Sequence, residues 1–337
     1  MKRLCLLLVS LTLFLGGCER VPGEQSLSFF AMDTYMDLRI IGGDEALLAS
    51  LKKKTEELET LFSVTRSDSE IARLNREGRV RPSANTEAIL KKALALCERS
   101  GGALDITVYP ALLAWGFTGG SFQVLSPAES RELAAKTDYK KLVFTEKGLE
   151  LPGDMAVDLG AVAKGYTADV LAEMLRAAGV EQALLDLGGN ILALGTKADG
   201  SPWQIGLRNP AGEGIIGRLS ARDEAVVTSG SYERSFQDDT GRSYGHILDP
   251  ASGRPVENSL LSVTVVGREG LLCDGLSTAL FVMGEEGAIA HWRAFSDFEM
   301  ILISEDGKML ISEGLQDRFQ PGENCPYDKQ IIKRNEN

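Results

Sequence analysis

Residues 157–194 read VDLGAVAKGYTADVLAEMLRAAGVEQALLDLGGNILAL, and their pattern of glycines and apolar residues decides the fold. The predicted elements are a strand at 157–160, a helix at 161–178, a strand at 183–187 and a strand at 191–194. Gly179 is expected to end the helix, and Gly188-Gly189-Asn190 is expected to turn the chain between the two later strands. Strands and helices mix without strict alternation, which favours the α+β class.

Working outward, the apolar pattern predicts further elements on both sides. They are an extended segment at 29–41, a helix capped by Asp44 that runs to about Phe62, a helix capped by Asp68 or Ser67 that runs to Asn75, a helix from Asn85, strands at 203–207, 225–228, 260–266 and 299–303, and a helix at 271–290 with weak points at Gly284 and Gly287. No repeat or low-complexity linker follows residue 27. One continuous domain is therefore expected over 28–325, followed by a polar tail at 326–337.

The composition limits the classes of function. The chain has 337 residues, of which 44% are hydrophobic, and this is enough for a large buried core. The formal net charge of −12 predicts no basic face for nucleic acid. An acidic protein that binds a polyphosphate must offset charge repulsion, and a divalent cation is one common means of doing so.

The first eighteen residues have the pattern of a bacterial lipoprotein signal. Lys2 and Arg3 precede an apolar run at 4–15 that is too short to span a bilayer as a mature helix. Small residues then lead to Cys18. We expect a signal peptide at 1–17, a lipid on Cys18 and a tether at 18–27, and hence an exported protein anchored to the outer face of the cytoplasmic membrane (the periplasmic side in a Gram-negative cell). An ordinary signal peptide and an uncleaved anchor are the alternatives.

Three segments carry side chains suited to chemistry on a phosphate. Asp274 and Thr278 are four residues apart on a predicted helix, so a carboxylate and a hydroxyl share one face, and hard oxygens are the ligands that Mg²⁺ takes. Lys164 lies in the first turn of another predicted helix, where a helix N-terminus favours phosphate. His246 lies between two polar turns and is a candidate general base, with Asp249 as a candidate to orient it. Each signal alone is weak.

A serine nucleophile is a further possibility at Thr228-Ser229-Gly230-Ser231. No G-x-S-x-G pattern surrounds Ser229 or Ser231, so a nucleophile elbow is not indicated. The spacing of a Walker A loop is also absent around Lys164.

These segments together resemble the ApbE family of FAD:protein FMN transferases. The resemblance runs from about Phe29 to Ile311. It rests on the following stretches: Ala31-Met32-Asp33-Thr34, Asp68-Ser69-Glu70 through Asn75, Gly102 to Thr107, Trp115-Gly116-Phe117, Asp158 to Tyr166, Asp186-Leu187-Gly188-Gly189-Asn190, Thr228-Ser229-Gly230, His246 to Pro250, and Asp274 to Thr278. Their number and order make the resemblance specific, although each stretch is short. It implies a single ApbE-like, T-fold-related catalytic unit.

The resemblance also implies roles for individual residues. Mg²⁺ would be bound by the backbone carbonyl of Ala161, the carboxylate of Asp274 and the hydroxyl of Thr278, and Ser277 occupies the position of a further acidic ligand in some members. Contacts to FAD would come from the following residues: Met32, Thr65, Arg66, Ser67, Asp105, Lys164 and Ile247. Many members have a flavin-stacking tyrosine where this chain has Thr65. Either flavin affinity is weaker in this chain, or another aromatic residue, Tyr35 or Trp115, compensates. His246 matches the family's catalytic base.

The activity implied is Mg²⁺-dependent transfer of FMN from FAD to a Thr or Ser hydroxyl of an acceptor flavoprotein, with release of AMP. Acceptors of the family are subunits of Na⁺-translocating NADH:quinone reductase or Rnf-type complexes. Two alternatives use the same site. One is a Mg²⁺-dependent FAD pyrophosphatase that gives FMN and AMP, and the other is an FAD-binding lipoprotein without turnover.

Overall fold

The computed structural model describes residues 23–232 and 234–335. The helices are α1 (Glu45–Phe62), α2 (Glu70–Glu77), α3 (Ala84–Arg99), α4 (Tyr109–Ala114), α5 (Pro127–Ala134), α6 (Ala163–Ala177) and α7 (Gly270–Ala294). The strands are β1 (Glu24–Ala31), β2 (Thr34–Ile41), β3 (Arg79–Val80), β4 (Val143–Thr145), β5 (Gly148–Glu150), β6 (Gln182–Leu187), β7 (Asn190–Leu194), β8 (Trp203–Arg208), β9 (Ile215–Ala221), β10 (Glu224–Gly230), β11 (Ser235–Gln237), β12 (Ser243–Gly245), β13 (Leu248–Asp249), β14 (Arg254–Pro255), β15 (Leu260–Gly267), β16 (Phe298–Ser304), β17 (Lys308–Ser312), β18 (Phe319–Pro321) and β19 (Asp328–Ile332). The predicted signal peptide and Cys18 lie outside the described residues.

A nine-stranded sheet in the order β1-β2-β6-β7-β10-β15-β16-β17-β19 is the centre of the fold. Its neighbouring strands are antiparallel except for β17 and β19, which are parallel. Side chains alternate across the sheet, so that Val227 and Val265 face the helices whereas Val226 and Val266 face a three-stranded sheet of order β18-β9-β8. Helices and antiparallel strands therefore form one unit, and the predicted α+β class is confirmed.

The predicted elements around residues 157–194 mostly match the structure. The helix, the two strands and the glycine turn between them are present as α6, β6 and β7. The strand predicted at 157–160 is wrong, because this segment is irregular and only Ala156, just before it, makes an isolated bridge, to Val108. The helix at 271–290 is α7, and its backbone breaks at Gly284, where φ is 71° and ψ is −179°.

The extended segment predicted at 29–41 is a hairpin. Met32 and Asp33 form its two-residue turn, with φ of 49° and 61°. Positive φ is rare outside glycine, and two such residues in succession give the type I′ turn that matches the twist of paired strands. The N–H of Met32 donates to Glu59 Oε1 at 2.9 Å, which ties the turn to α1. The sequence contains no Asn-Gly or Asp-Gly signal here, so the reversal could not be predicted.

Both ends of the domain extend further than the sequence predicts. The predicted tether includes Glu24 to Leu27, but these residues pair with β2 in the hairpin. The predicted polar tail includes residues 328–332, but they form β19, which pairs with β17 at the edge of the large sheet. Within the described ranges, no helix combines the length and the hydropathy that crossing a bilayer requires.

Candidate active site

Asp274 lies on α7, where that helix passes close to α6. The carboxylate of Asp169 on α6 caps α7 by accepting the N–H groups of Gly270 at 2.6 Å and Leu271 at 3.0 Å. A Cβ at Gly165 would lie 2.2 Å from the Gly270 oxygen and 2.7 Å from the Asp274 Cβ, so only glycine permits this approach. The Asp274 side chain is consequently buried, at 4% exposure, and its Oδ2 accepts the Gly165 N–H at 2.9 Å.

Ala161, the second predicted oxygen ligand, lies two residues before the start of α6. Gly165 is the third residue of α6, where a backbone N–H has no acceptor within its own helix, and this N–H donates to Asp274. The buried carboxylate of Asp274 and the backbone carbonyl of Ala161 are both oxygen ligands of the kind a hard cation takes.

Three hydroxyl groups continue the site from α7 to the end of β10. Ser277 Oγ donates to the Asp274 carbonyl at 2.7 Å, and Ser229 Oγ lies 2.7 Å from Ser277 Oγ and 3.4 Å from Thr278 Oγ1. Ser277 is fully buried, and its hydroxyl holds α7 against β10. Ser277 thus supports the positions of Asp274 and Thr278 through these contacts, and its role as a metal ligand stays a prediction. Ser229 is engaged in the same way, which disfavours its role as a nucleophile.

The charge of Lys164 acts on three other groups of the candidate site. Burial raises the pKa of Asp274, and the ammonium of Lys164 opposes this rise. Burial likewise raises the pKa of Asp158, and the N–H of Gly160, then Lys164 and Arg234, oppose it. The pKa of His246 is lowered to about 4, first by burial, then by Arg234, and with a smaller contribution from Lys164. One ammonium therefore acts on groups from three separate segments of the chain.

His246 is partly buried and held through its backbone. Its N–H donates to the Arg234 oxygen at 2.9 Å, and its ring meets that of Phe117 edge-on, with 6.5 Å between centroids. Arg234 Nη2 in turn donates to Asp33 Oδ2 at 2.6 Å, which brings the β1–β2 turn to this loop. Among the described residues, the buried Nδ1 of His246 has no hydrogen-bond partner. The lowered pKa leaves the imidazole neutral at pH 7, as a proton acceptor must be.

Asp249 does not orient His246, so that prediction is wrong. Its Oδ1 accepts the N–H of Ala251 at 3.0 Å, and its backbone oxygen accepts the N–H groups of Ser252 and Gly253. These bonds build the turn between β13 and β14. A spacing of three residues could not distinguish a catalytic contact from a turn.

The predicted flavin contacts have different environments. Met32 lies in the hairpin turn, and its Sδ is 3.7 Å from Thr167 Oγ1 on α6. Asp105 is buried, and both of its oxygens are used: Oδ1 accepts the N–H and hydroxyl of Thr107, and Oδ2 accepts the N–H of Tyr139. Ile247 is buried in the main core. In the structure, Asp105 thus orders its own loop and joins it to the segment at Tyr139.

Thr65, Arg66 and Ser67 lie in the exposed loop between α1 and α2. The N–H groups of Thr65 and Arg66 both donate to Ser63 Oγ at 3.2 Å, which fixes the backbone of the loop. The Arg66 guanidinium pairs with Asp68 at 3.3 Å, and both side chains are exposed.

Of the two aromatic residues expected to replace the missing tyrosine, Trp115 is excluded. It is fully buried, and its Nε1 donates to the Gly253 oxygen at 2.8 Å, so neither ring face is open to a ligand. Tyr35 is 78% exposed and makes an edge contact with Phe30, with 5.3 Å between ring centroids. Only Tyr35 stays a candidate for stacking.

Asp158 and Arg234 belong to the site although the sequence predicts no role for either. Asp158 lies in the stretch that begins the predicted helix, and its carboxylate accepts the N–H of Gly160 at 2.7 Å. Its position beside Lys164 could have been inferred from the turn. Arg234 is far from the other site residues in sequence and has no motif around it, so only the fold brings it to His246 and Asp158.

The donor set suits a magnesium ion. The described residues contain no group of three or more His, Cys, Asp and Glu side chains that could hold a metal. Mg²⁺, however, is commonly bound by one or two carboxylates together with waters and substrate phosphates. Asp274, Thr278 and the Ala161 carbonyl provide one carboxylate and two neutral oxygens, which fits that pattern.

Comparison with known proteins identifies the family of this chain. The model of the ApbE family matches residues 32–302. The FAD:protein FMN transferase of Vibrio cholerae is 33% identical over 323 residues, which cover 92% of this chain and 96% of that protein. The one from Treponema pallidum is 34% identical over 287 residues, or 79% of each chain. The solved ApbE protein of Thermotoga maritima has a TM-score of 0.81 and 29% identity, covering 88% of this chain and 99% of its own.

The fold and these relatives define an enzyme of the transferase class built as a single α+β domain. The chain belongs to the ApbE family. The resemblance seen in the sequence is therefore confirmed.

Proposed function

We propose that this protein transfers FMN from FAD to a Thr or Ser hydroxyl of an acceptor protein, in a reaction that depends on Mg²⁺. The main support is the position of Lys164, whose charge acts on Asp158, Asp274 and His246 together. The acceptor oxygen would bond to the FMN phosphorus as the bond from that phosphorus to the AMP oxygen breaks. AMP leaves, and the proton of the acceptor hydroxyl goes to His246.

The chain's own groups have distinct tasks in this reaction. Asp274, Thr278 and the carbonyl of Ala161 would hold Mg²⁺, which when bound neutralises diphosphate charge and acts as a Lewis acid. Lys164, in the first turn of α6, would hold the diphosphate by its charge. His246, neutral at pH 7, would accept the proton. Water could take the place of the acceptor hydroxyl, and the products would then be free FMN and AMP.

Incubation with FAD, Mg²⁺ and a candidate acceptor subunit tests the proposal. The acceptors to try are flavin-carrying subunits of Na⁺-translocating NADH:quinone reductase or Rnf-type complexes. A fluorescent acceptor band on a denaturing gel, with one AMP released per flavin attached, is the expected result. Free FMN with no labelled acceptor would identify a pyrophosphatase, and FAD binding without AMP release would identify a flavin-binding protein without turnover.

If His246 is the base, its pKa determines the pH at which the transfer rate falls in acid. The imidazole must be neutral to accept a proton, and it is neutral above its pKa of about 4. As the pH falls, kcat/KM should therefore stay level through about pH 6.5, where an ordinary histidine titrates, and decline only as the pH approaches 4. Circular dichroism at each pH controls for unfolding. A midpoint close to that of an ordinary histidine, with the fold intact, would contradict the assignment.

We also propose that a lipid on Cys18 anchors the enzyme to the outer face of the cytoplasmic membrane. The support is the signal pattern in the sequence. Cys18→Ser should move the protein from the membrane pellet to the soluble fraction of lysed cells. Cys325→Ser, at a partly exposed cysteine in the folded domain, is the control and should leave the protein in the pellet. A Cys18→Ser protein that stays with the membrane would point to an uncleaved anchor.

A further inference from the structure

The hydrogen-bond chain from β10 to α7 determines where the proton of each hydroxyl lies. A carbonyl oxygen only accepts, so in the 2.7 Å contact with the Asp274 oxygen it is Ser277 that donates its single hydrogen. Ser277 then accepts in its 2.7 Å contact with Ser229, and Ser229 must donate. The one hydrogen of Ser229 is thereby used.

The same reasoning orients Thr278. Because Ser229 has no second hydrogen, any bond across its 3.4 Å contact with Thr278 Oγ1 has Thr278 as the donor. A hydrogen bond of this length is weak, so its main effect is on the orientation of the Thr278 hydroxyl and not on stability. With Thr278 as the donor, its hydrogen is directed toward β10, and the lone pairs of Thr278 Oγ1 are directed away from that strand.

We propose that Ser229 is a positioning residue for the divalent cation, acting through Thr278 and through the Ser277 bond that holds α7 against β10. This inference rests on the metal assignment in the proposed function. The ion would be a hard divalent cation such as Mg²⁺ or Mn²⁺, because its protein ligands are all oxygens. Ser229 does not touch the ion; it keeps the Thr278 hydroxyl from turning a hydrogen toward it.

Strand β10 provides a matched control for Ser229 at the adjacent position. Thr228 precedes Ser229 on β10, and its side chain points to the opposite face of the sheet. Its hydroxyl lies 2.8 Å from Thr264 Oγ1, so it also makes a side-chain hydrogen bond between elements. Both residues are half-buried. Thr228→Val therefore removes a comparable bond from the same strand without touching the chain of hydroxyls that reaches Thr278.

A Mn²⁺-binding measurement on the purified protein without flavin tests the inference independently of activity. The electron paramagnetic resonance signal of the free ion reports how much Mn²⁺ remains unbound. Ser229→Ala should weaken Mn²⁺ binding about tenfold, Ser229→Thr should restore it, and Thr228→Val should leave it unchanged. Ser277→Ala releases the hydrogen of Ser229 to occupy a lone pair of Thr278. It should weaken binding severalfold, and it provides a second variant if Ser229→Ala does not fold.

The remaining outcomes separate the two proposals. If Asp274→Ala abolishes Mn²⁺ binding and Ser229→Ala does not change it, the metal site stands and the positioning role is overturned. Equal losses from Ser229→Ala and Thr228→Val would reduce Ser229 to a structural residue and would also overturn the positioning role. If Asp274→Ala leaves Mn²⁺ binding intact, both the metal assignment and the positioning role fail.

Discussion

Asp274→Ala is expected to lower the rate of Mg²⁺-dependent flavin transfer by about a thousandfold or more. The substitution removes the one carboxylate of the proposed metal site, and the Lewis-acid stabilisation that a bound metal gives is worth several kcal/mol, where about 1.4 kcal/mol is a factor of ten in rate. The measurement is the initial rate of acceptor labelling at saturating FAD over a range of Mg²⁺ concentrations. Asp274→Asn should lose activity to a similar extent while keeping an oxygen for the Gly165 N–H.

Asp306→Ala is the control for this prediction. It also removes a carboxylate, but one in the exposed turn between β16 and β17, where Asp306 pairs with Lys308 at 2.5 Å. Its transfer rate should match that of the parent protein. Wild-type activity that persists in excess chelator, or an Asp274→Ala protein that is folded and fully active, would show that the reaction needs no metal at this site.

His246→Ala is expected to slow transfer by about a hundredfold or more and to leave FAD affinity close to that of the parent protein. General-base catalysis contributes about this much to the rate, and the imidazole acts on the acceptor hydroxyl rather than on bound FAD. Two measurements are needed: the FAD dissociation constant from flavin fluorescence, and the rate of a single turnover with excess enzyme.

The only other histidine of the chain provides the matched control. His291 lies in the last turn of α7, and its ring packs 4.6 Å from that of Phe295. His291→Ala removes the same side chain from a structural position, so a small loss of stability and a normal transfer rate are expected. A His246→Ala protein that loses FAD binding in proportion to its rate would make His246 a binding residue instead of a base.

The sequence was sufficient to predict those parts of the fold that have local causes. Asp44 begins α1 and accepts the Leu47 N–H at 2.8 Å, as an N-cap should, and Gly179, with φ of 78°, follows the end of α6. The apolar runs at 225–228 and 260–266 likewise predict the strands β10 and β15. In the candidate site, the pairing of Asp274 with Thr278 followed from helical periodicity alone.

The parts that could not be predicted depend on contacts between distant segments. The hairpin turn at Met32 is held by Glu59, and β19 exists because β17 presents an open edge to it. Trp115 looked available for stacking because nothing in its neighbours shows that Gly253 accepts its indole N–H. The pKa of His246 is lowered first by burial and then by Arg234, and no motif marks either cause. Periodicity shows which face of an element is apolar, but not which other segment will cover it.

The start of β1 at Glu24 limits where a lipidated form of this enzyme could work. Only about six Cα–Cα steps separate Cys18 from the first residue of the large sheet, and a fully extended chain of that length reaches roughly 20 Å. With so short a connection, the catalytic body would stay in the layer of solvent next to the lipid headgroups. An acceptor would have to present its hydroxyl within that layer, so the distance from the bilayer would select substrates before any side chain recognised them.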